Sequence, residues 1–136
     1  MGINRAFRIE AKRFDIFLED GKSVQVRIKE SGKHHTCSVC IRKDGAQWFA
    51  KCMEENITRE GEQSFICTLR ENDNGFVVQR SGNDFGRFVE LMFYGSGGCK
   101  GHVVILEGQK QSGWRGFLVG IRHVLEPRRS LVPIQL

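Results

Sequence analysis

Hydrophobic residues alternate with polar ones in eight short segments of this chain. In the first half, the alternating sets begin at Phe7, Phe14, Val24 and Cys37. In the second half, the segments read SFICTLREN, GFVVQRSG, GRFVELMFY and GHVVILEG. Alternation with a period of two is typical of β-strands that bury one face. The sequence therefore predicts eight half-buried strands.

Two further segments show helical spacing. In DGAQWFAKCMEENI, the apolar side is formed by Trp48, Phe49, Cys52, Met53 and Ile57. In SGWRGFLVGIRHVLE, it is formed by Trp114, Phe117, Leu118, Ile121 and Leu125. Apolar residues at this spacing predict amphipathic helices that pack on a core. We expect Ser112 to be the N-cap of the second helix, Pro127 to end it, and both tryptophans to be mostly buried.

The second half repeats the order of the first. Phe14 and Phe76 stand at nearly the same offset as Trp48 and Trp114. The predicted fold class is α+β, with two ββββα repeats, each an antiparallel four-stranded sheet with one C-terminal helix. We expect a single domain over residues 1–136, with repeats at about 5–58 and 63–126 and a short tail at 127–136. One helix covers one face of a sheet, so the other face stays available to a ligand.

Composition narrows the class of protein. The chain has 136 residues, a net charge of +5 and five cysteines, which is an odd count. No apolar run is long enough to span a membrane, and the opening MGINRAFRIEAKRF has no signal-peptide core. We therefore predict reduced thiols and a nuclear or cytoplasmic protein without membrane contact, and leave an organellar location open. The basic charge weakly favours an anionic partner.

Metal binding and catalysis are both disfavoured. The stretch HHTCSVC and the pair Cys99 and His102 imitate zinc-ligand spacing. Cys37 and Cys40, however, lie three residues apart on a predicted strand, so they should point to opposite faces. No P-loop, Gly-x-Ser-x-Gly or His-Glu-x-x-His pattern is present in the sequence. We predict no metal, no cofactor, no catalytic residues and no enzymatic activity.

Strand parity predicts what the free sheet faces carry. On the first sheet, the outward residues are expected to be Arg8, Lys12, Arg13, Phe17, Arg27 and Lys29. On the second, they are expected to be Phe88 and Tyr94 with Arg70 and Arg87 nearby. Basic side chains interleaved with aromatic rings are typical of surfaces that bind single-stranded nucleic acid. The alternative is that Phe17, Phe88 and Tyr94 bury against the other repeat or a second subunit.

Three segments resemble the PUR repeat of single-stranded nucleic-acid-binding proteins and the related Whirly architecture. EAKRFDIFLED resembles the Lys-Arg-Phe opening strand, LRENDNGFVVQ the Arg-Glu-Asn segment with its aromatic strand, and FGRFVEL the Gly-Arg-Phe-Leu strand. The similarity extends over roughly residues 5–126. It implies a non-catalytic domain that binds single-stranded DNA or RNA. The alternative function is a protein-interaction module, with a homodimer formed through the same sheet faces.

Overall fold

The computed structural model describes residues 4–21, 23–59 and 65–126. The first repeat contains β1 (Asn4–Ile9), β2 (Lys12–Glu19), β3 (Gln25–Ser31), β4 (Thr36–Arg42) and α1 (Lys43–Thr58). The second contains β5 (Ile66–Glu71), β6 (Asn74–Asn83), β7 (Gly86–Gly95), β8 (Gly98–Leu106), a 3₁₀ turn (Gln109–Gln111) and α2 (Ser112–Leu125). The predicted fold class, α+β with two ββββα repeats, is confirmed.

Each repeat forms one antiparallel sheet whose strands pair in chain order, β1-β2-β3-β4 and β5-β6-β7-β8. Two-residue turns join β1 to β2 at Glu10–Ala11 and β5 to β6 at Asn72–Asp73. Glu10 and Asn72 adopt positive φ angles of 54° and 55°. Short hairpin turns of this kind match the twist of the flanking strands, which fixes the register of each pair.

The register assigns every strand residue to one of two faces. The inner face of the first sheet carries Phe14, Ile16, Ile28 and Val39, and that of the second carries Phe76, Val78, Leu91 and Val103. All eight side chains are buried. The outer face is the opposite side of each sheet, and the helices leave it uncovered.

The helices join the two repeats into one hydrophobic core. Helix α2 packs on β1 and β2 of the first sheet as well as on β8, whereas α1 lies against β3, β4, β6 and α2. Phe117 of α2 contacts Phe7, Phe14 and Phe49 edge-on, at ring-centroid distances of 5.7 to 5.9 Å. The helix of the second repeat therefore covers the sheet of the first.

The predictions for the helix ends and tryptophans had mixed outcomes. Trp114 is fully buried, as predicted, and its indole N–H donates to the Ile105 carbonyl at 3.0 Å. Trp48 is half-buried, so its predicted burial is confirmed only in part. The N-cap prediction was wrong, because α2 already includes Ser112 and its N-cap is Gln111, in the left-handed conformation. Pro127 lies outside the described residues.

The two sheets meet where β8 crosses β4 and β3. An added Cβ on Gly101 would lie 2.7 Å from the Ser38 carbonyl oxygen, so only glycine permits this approach. Close by, the buried carboxylate of Glu30 accepts a hydrogen bond from the Val104 backbone N–H at 2.7 Å. This bond satisfies an N–H of β8 that has no partner strand on that side. It is one of several polar links between the repeats, which also include the bond from the Gln111 side chain to the Ile57 carbonyl and the ion pair between Arg122 and Glu54.

Candidate nucleic-acid interface

Most of the charged side chains of the first sheet lie on its outer face. From β1 to β4, the described side chains on this face are Ala6 and Arg8, then Arg13, Asp15, Phe17 and Glu19, then Gln25, Arg27, Lys29 and Ser31, then Thr36, Ser38, Cys40 and Arg42. Five of these residues are cationic and two are carboxylates. We call this surface the basic face.

Two of the five cations are held by carboxylates on the same face. Arg13 donates two hydrogen bonds to Asp15 at 3.1 Å, and Arg27 donates one to Glu19 at 3.1 Å. These pairs fix the direction of both guanidinium groups while leaving N–H donors open to a ligand. Hydrogen bonding to Asp15 and Glu19 raises the pKa of Arg13 and of Arg27, so both remain cations.

The other three cations are available to an anion. Arg8, Lys29 and Arg42 are exposed, and within the described part of the chain they form no ion pair. They lie on three different strands. A polyanion that crosses the sheet can therefore meet a positive charge on each of these strands.

Phe17 is the aromatic residue among the described side chains of the basic face. It lies on β2, a central strand of the sheet. Its side chain is half-buried, and it pairs in register with Arg27 of β3. On the far side of Arg27, the Cys40 thiol lies 2.8 Å from Gln25 Oε1. Burial raises the pKa of the Cys40 thiol, so it is protonated and a poor nucleophile near neutral pH. This part of the face offers a ring and hydrogen-bonding groups, and no ionised thiol.

The prediction that Lys12 faces outward was wrong. Lys12 pairs in register with Ile9, on the inner side, and its ammonium group lies 3.0 Å from Glu30 Oε2. The sequence-based prediction treated Lys12 as part of the same strand as Arg8 and therefore placed both side chains on the same, outward face. The two-residue turn at Glu10–Ala11 interrupts that parity, so Lys12 begins β2 on the opposite face. Its positive charge pairs with the buried Glu30 carboxylate and does not face the proposed ligand.

The prediction that Arg87 lies beside Phe88 on the ligand-facing side was also wrong. Neighbouring residues of a strand point to opposite faces, so Arg87 points inward when Phe88 points outward. Its guanidinium forms a salt bridge with Glu107 and lies 5.4 Å from the centre of the Trp114 ring. Arg87 therefore supports the core near α2.

The outer face of the second sheet holds the remaining predicted residues, Arg70, Phe88 and Tyr94. From β5 to β8, its residues are Ile66, Thr68 and Arg70, then Gly75, Val77, Gln79 and Ser81, then Phe88, Glu90, Met92 and Tyr94, then Cys99, His102, Val104 and Leu106. We call this surface the apolar face. Phe88 and Tyr94 point outward as predicted, but on a different sheet from Phe17.

Two residues escaped the sequence-based prediction. Arg42 belongs to the basic face, and the alternation of Val39 and Ile41 with Cys40 and Arg42 could have identified it. Phe85, at the turn between β6 and β7, is 96% exposed, and its backbone N–H is bonded to the Asn83 side chain. Periodicity gives no signal for a residue in a turn.

The cysteines and histidines are dispersed. Cys37 lies on the inner face of β4 and Cys40 on the outer face, as their spacing predicted. Among the residues that the structure describes, no three histidine, cysteine or acidic side chains lie close enough together to hold a metal ion. In the same part of the chain, no helix is long and apolar enough to cross a membrane.

A groove of about 930 Å³ opens elsewhere, between the C-terminal half of α2, α1 and the start of β1. Its cationic rim includes Arg5, Lys51 and Arg122, and Ala50 and Leu125 form part of its floor. Its lining side chains contain no aromatic ring other than the imidazole of His123.

No protein-family model and no curated protein sequence matches the chain.

Proposed function

We propose that this chain is a non-catalytic domain that binds single-stranded DNA or RNA on its basic face. The observation that carries the proposal is the grouping of Phe17 with five cations on one sheet face that neither of the described helices covers. Lysine and arginine neutralise phosphates, whereas an aromatic ring stacks on a base. The similarity of three segments to the PUR repeat supports the same function.

Single strands are the expected ligand because the face is open and contains a ring. A base can stack on Phe17 only if it is not already stacked between neighbours in a duplex. The exposed Arg8, Lys29 and Arg42 would contact phosphates on either side of that base. Arg13 and Arg27, already oriented by carboxylates, would offer their remaining N–H donors.

The test is a fluorescence-anisotropy titration with three labelled ligands of equal length: single-stranded DNA, single-stranded RNA and duplex DNA. We expect binding of at least one single strand to be stronger than binding of the duplex, and to weaken as salt is added. Equal affinity for duplex and single strands would contradict the proposal, since it would indicate charge attraction alone. Absence of salt-sensitive binding to all three would favour the protein-interaction module.

A further inference from the structure

Two of the five cysteines meet where the first helix packs on the second sheet. Cys52 lies on α1, and Cys67 lies on β5, where its register partner Val78 is a buried residue of the inner face. Both thiols are free, and that of Cys52 is hydrogen-bonded to that of Cys67. We call these two residues the cysteine pair. The pair joins two elements that belong to different repeats.

The packing of α1 along β5 supports this contact independently. Near the start of α1, an added Cβ on Gly45 would lie 3.4 Å from Cδ2 of Leu69, which is two residues after the strand member of the pair. At the end of α1, the Arg59 guanidinium lies 5.3 Å from the centre of the ring of Phe65, two residues before it. On the helix, the pair lies about two turns from Gly45 and about two turns from Arg59. The cysteine pair is therefore the middle contact of three along one helix and one strand.

The two thiols of the pair differ in exposure. Cys52 is 4% exposed, whereas Cys67 is half-buried. Burial, together with the hydrogen bond to Cys67, raises the pKa of the Cys52 thiol, so this thiol stays protonated near neutral pH. A small oxidant therefore reaches the Cys67 sulfur first, and the Cys52 sulfur lies beside it as the second reactant.

We propose that the cysteine pair is a site of reversible oxidation, at which hydrogen peroxide converts the two thiols into a disulfide. First, the Cys67 sulfur attacks the peroxide, the O–O bond breaks, and a sulfenic acid and one water form. The Cys52 sulfur then attacks the sulfenic sulfur, the S–O bond breaks, and the hydroxyl group leaves as a second water with the Cys52 proton. The two thiols together lose two hydrogen atoms, and one peroxide is reduced to two waters.

Oxidation would tie α1 to β5 and close the chain between residues 52 and 67 into a loop. A cross-link of this kind restricts the unfolded chain and thereby stabilises the folded state. The cysteine pair lies on the inner side of the second sheet, whereas the basic face is the outer side of the first. The proposal therefore stands without the proposed function, and its test requires no nucleic acid.

The experiment is oxidation of the reduced full chain with hydrogen peroxide, followed by mass spectrometry. We expect the intact mass to fall by about 2 Da, the mass of two hydrogens, and to return after treatment with dithiothreitol. Remaining thiols are blocked with N-ethylmaleimide before digestion with trypsin. Trypsin cleaves after Lys51, Arg59 and Arg70, so the disulfide should join peptide 52–59 to peptide 60–70. The oxidised protein should also melt at a temperature higher by about 5 °C or more.

Cys67→Ser removes the more exposed sulfur of the pair and should abolish both the loss of mass and the rise in melting temperature. Cys99→Ser is the matched control, because Cys99 is an exposed cysteine near the start of β8, and this variant should oxidise like the wild type. If Cys67→Ser does not fold, the peptide map of the wild type decides. Both peptides recovered as maleimide adducts, a disulfide that joins only other cysteines, or an oxidised protein that melts below the reduced one would overturn the proposal.

Discussion

At the residue scale, two aromatic side chains with the same strand parity have different surroundings. Phe17 pairs in register with Arg27 and lies on the face with five cations. Phe88 pairs with Ser81 on one side and Leu106 on the other. A base is covalently linked to its phosphate, so a ring that lies beside cations binds a nucleotide better than a ring without cations nearby. The sequence predicted both rings as outward but could not separate these environments, because the pairing partners are long-range.

Replacing Phe17 should therefore weaken binding more than replacing Phe88. We expect Phe17→Ala to weaken the binding of a short single strand by about 1–3 kcal/mol, the usual contribution of one stacked base. Phe88→Ala should leave that affinity within about a factor of two. Anisotropy titrations of the two variants, each checked for folding by circular dichroism, measure the difference. Equal losses would argue against a site restricted to the basic face.

At the element scale, alternation identified all eight strands that the structure describes, because each buries one face and a two-residue period then becomes visible. The errors arose at turns. Lys12 was assigned to the wrong face since the turn at Glu10–Ala11 resets the parity, and Ser112 failed as an N-cap since the 3₁₀ turn before α2 places Gln111 there. The link from Glu30 to Val104 was not predictable, because it joins residues far apart in the chain.

Glu30 links β8, the start of β2 and the loop between β3 and β4. Its carboxylate accepts hydrogen bonds from Val104 of β8, from Lys12 at the start of β2, and from His35 Nε2 at 2.8 Å. Gly32 makes room for the His35 ring, which an added Cβ would approach to 2.2 Å. Burial alone would raise the pKa of Glu30, but the three hydrogen bonds outweigh it and lower that pKa below the usual 4.5.

The acid stability of the protein should depend on this carboxylate. A carboxyl group with a lowered folded-state pKa adds stability above its unfolded value and loses it as the pH falls through the folded value. We expect the free energy of unfolding to decrease below about pH 4.5, and Glu30→Gln to reduce this acid dependence and cost about 1–3 kcal/mol at pH 7. Urea denaturation between pH 3 and 7 measures both effects.

The matched control is Glu55→Gln. Glu55 forms an exposed ion pair with Arg59 on the surface near the end of α1, and its side chain is 52% exposed. Pairs of this kind contribute less than about 0.5 kcal/mol. A control that loses as much stability as Glu30→Gln would show that burial of the carboxylate is irrelevant.

At the scale of the whole molecule, the two repeats depend on a close contact between their sheets. We expect Gly101→Ala to destabilise the protein by about 1–3 kcal/mol, because its Cβ would press on the Ser38 backbone of the other repeat. Gly116→Ala, in α2, has open space around the added Cβ and should stabilise the protein by about 0.5–1 kcal/mol. Thermal denaturation of both variants measures the difference, and a neutral Gly101→Ala would contradict the packing between the repeats.

The distribution of charge over the whole molecule gives the sharpest test of the basic face. Lys29 lies on that face and Lys51 lies on α1, and both are exposed and without an ion pair among the described residues. Replacing either one with glutamate lowers the net charge by the same amount. Attraction by net charge alone would make the two variants equivalent. Attraction at a defined face would separate them.

We expect Lys29→Glu to weaken single-strand binding by about tenfold and to reduce the salt slope by about 0.7, the value for one lost phosphate contact. Lys51→Glu should change the affinity by less than about twofold and leave the slope unaltered. Titrations at four salt concentrations, with one single-stranded oligonucleotide, give both quantities for each variant. Equal effects of the two substitutions would mean that net charge, rather than the basic face, holds the strand. A larger effect of Lys51→Glu would indicate that the strand binds in the groove beside α1, where its phosphates would contact Arg5 and Arg122.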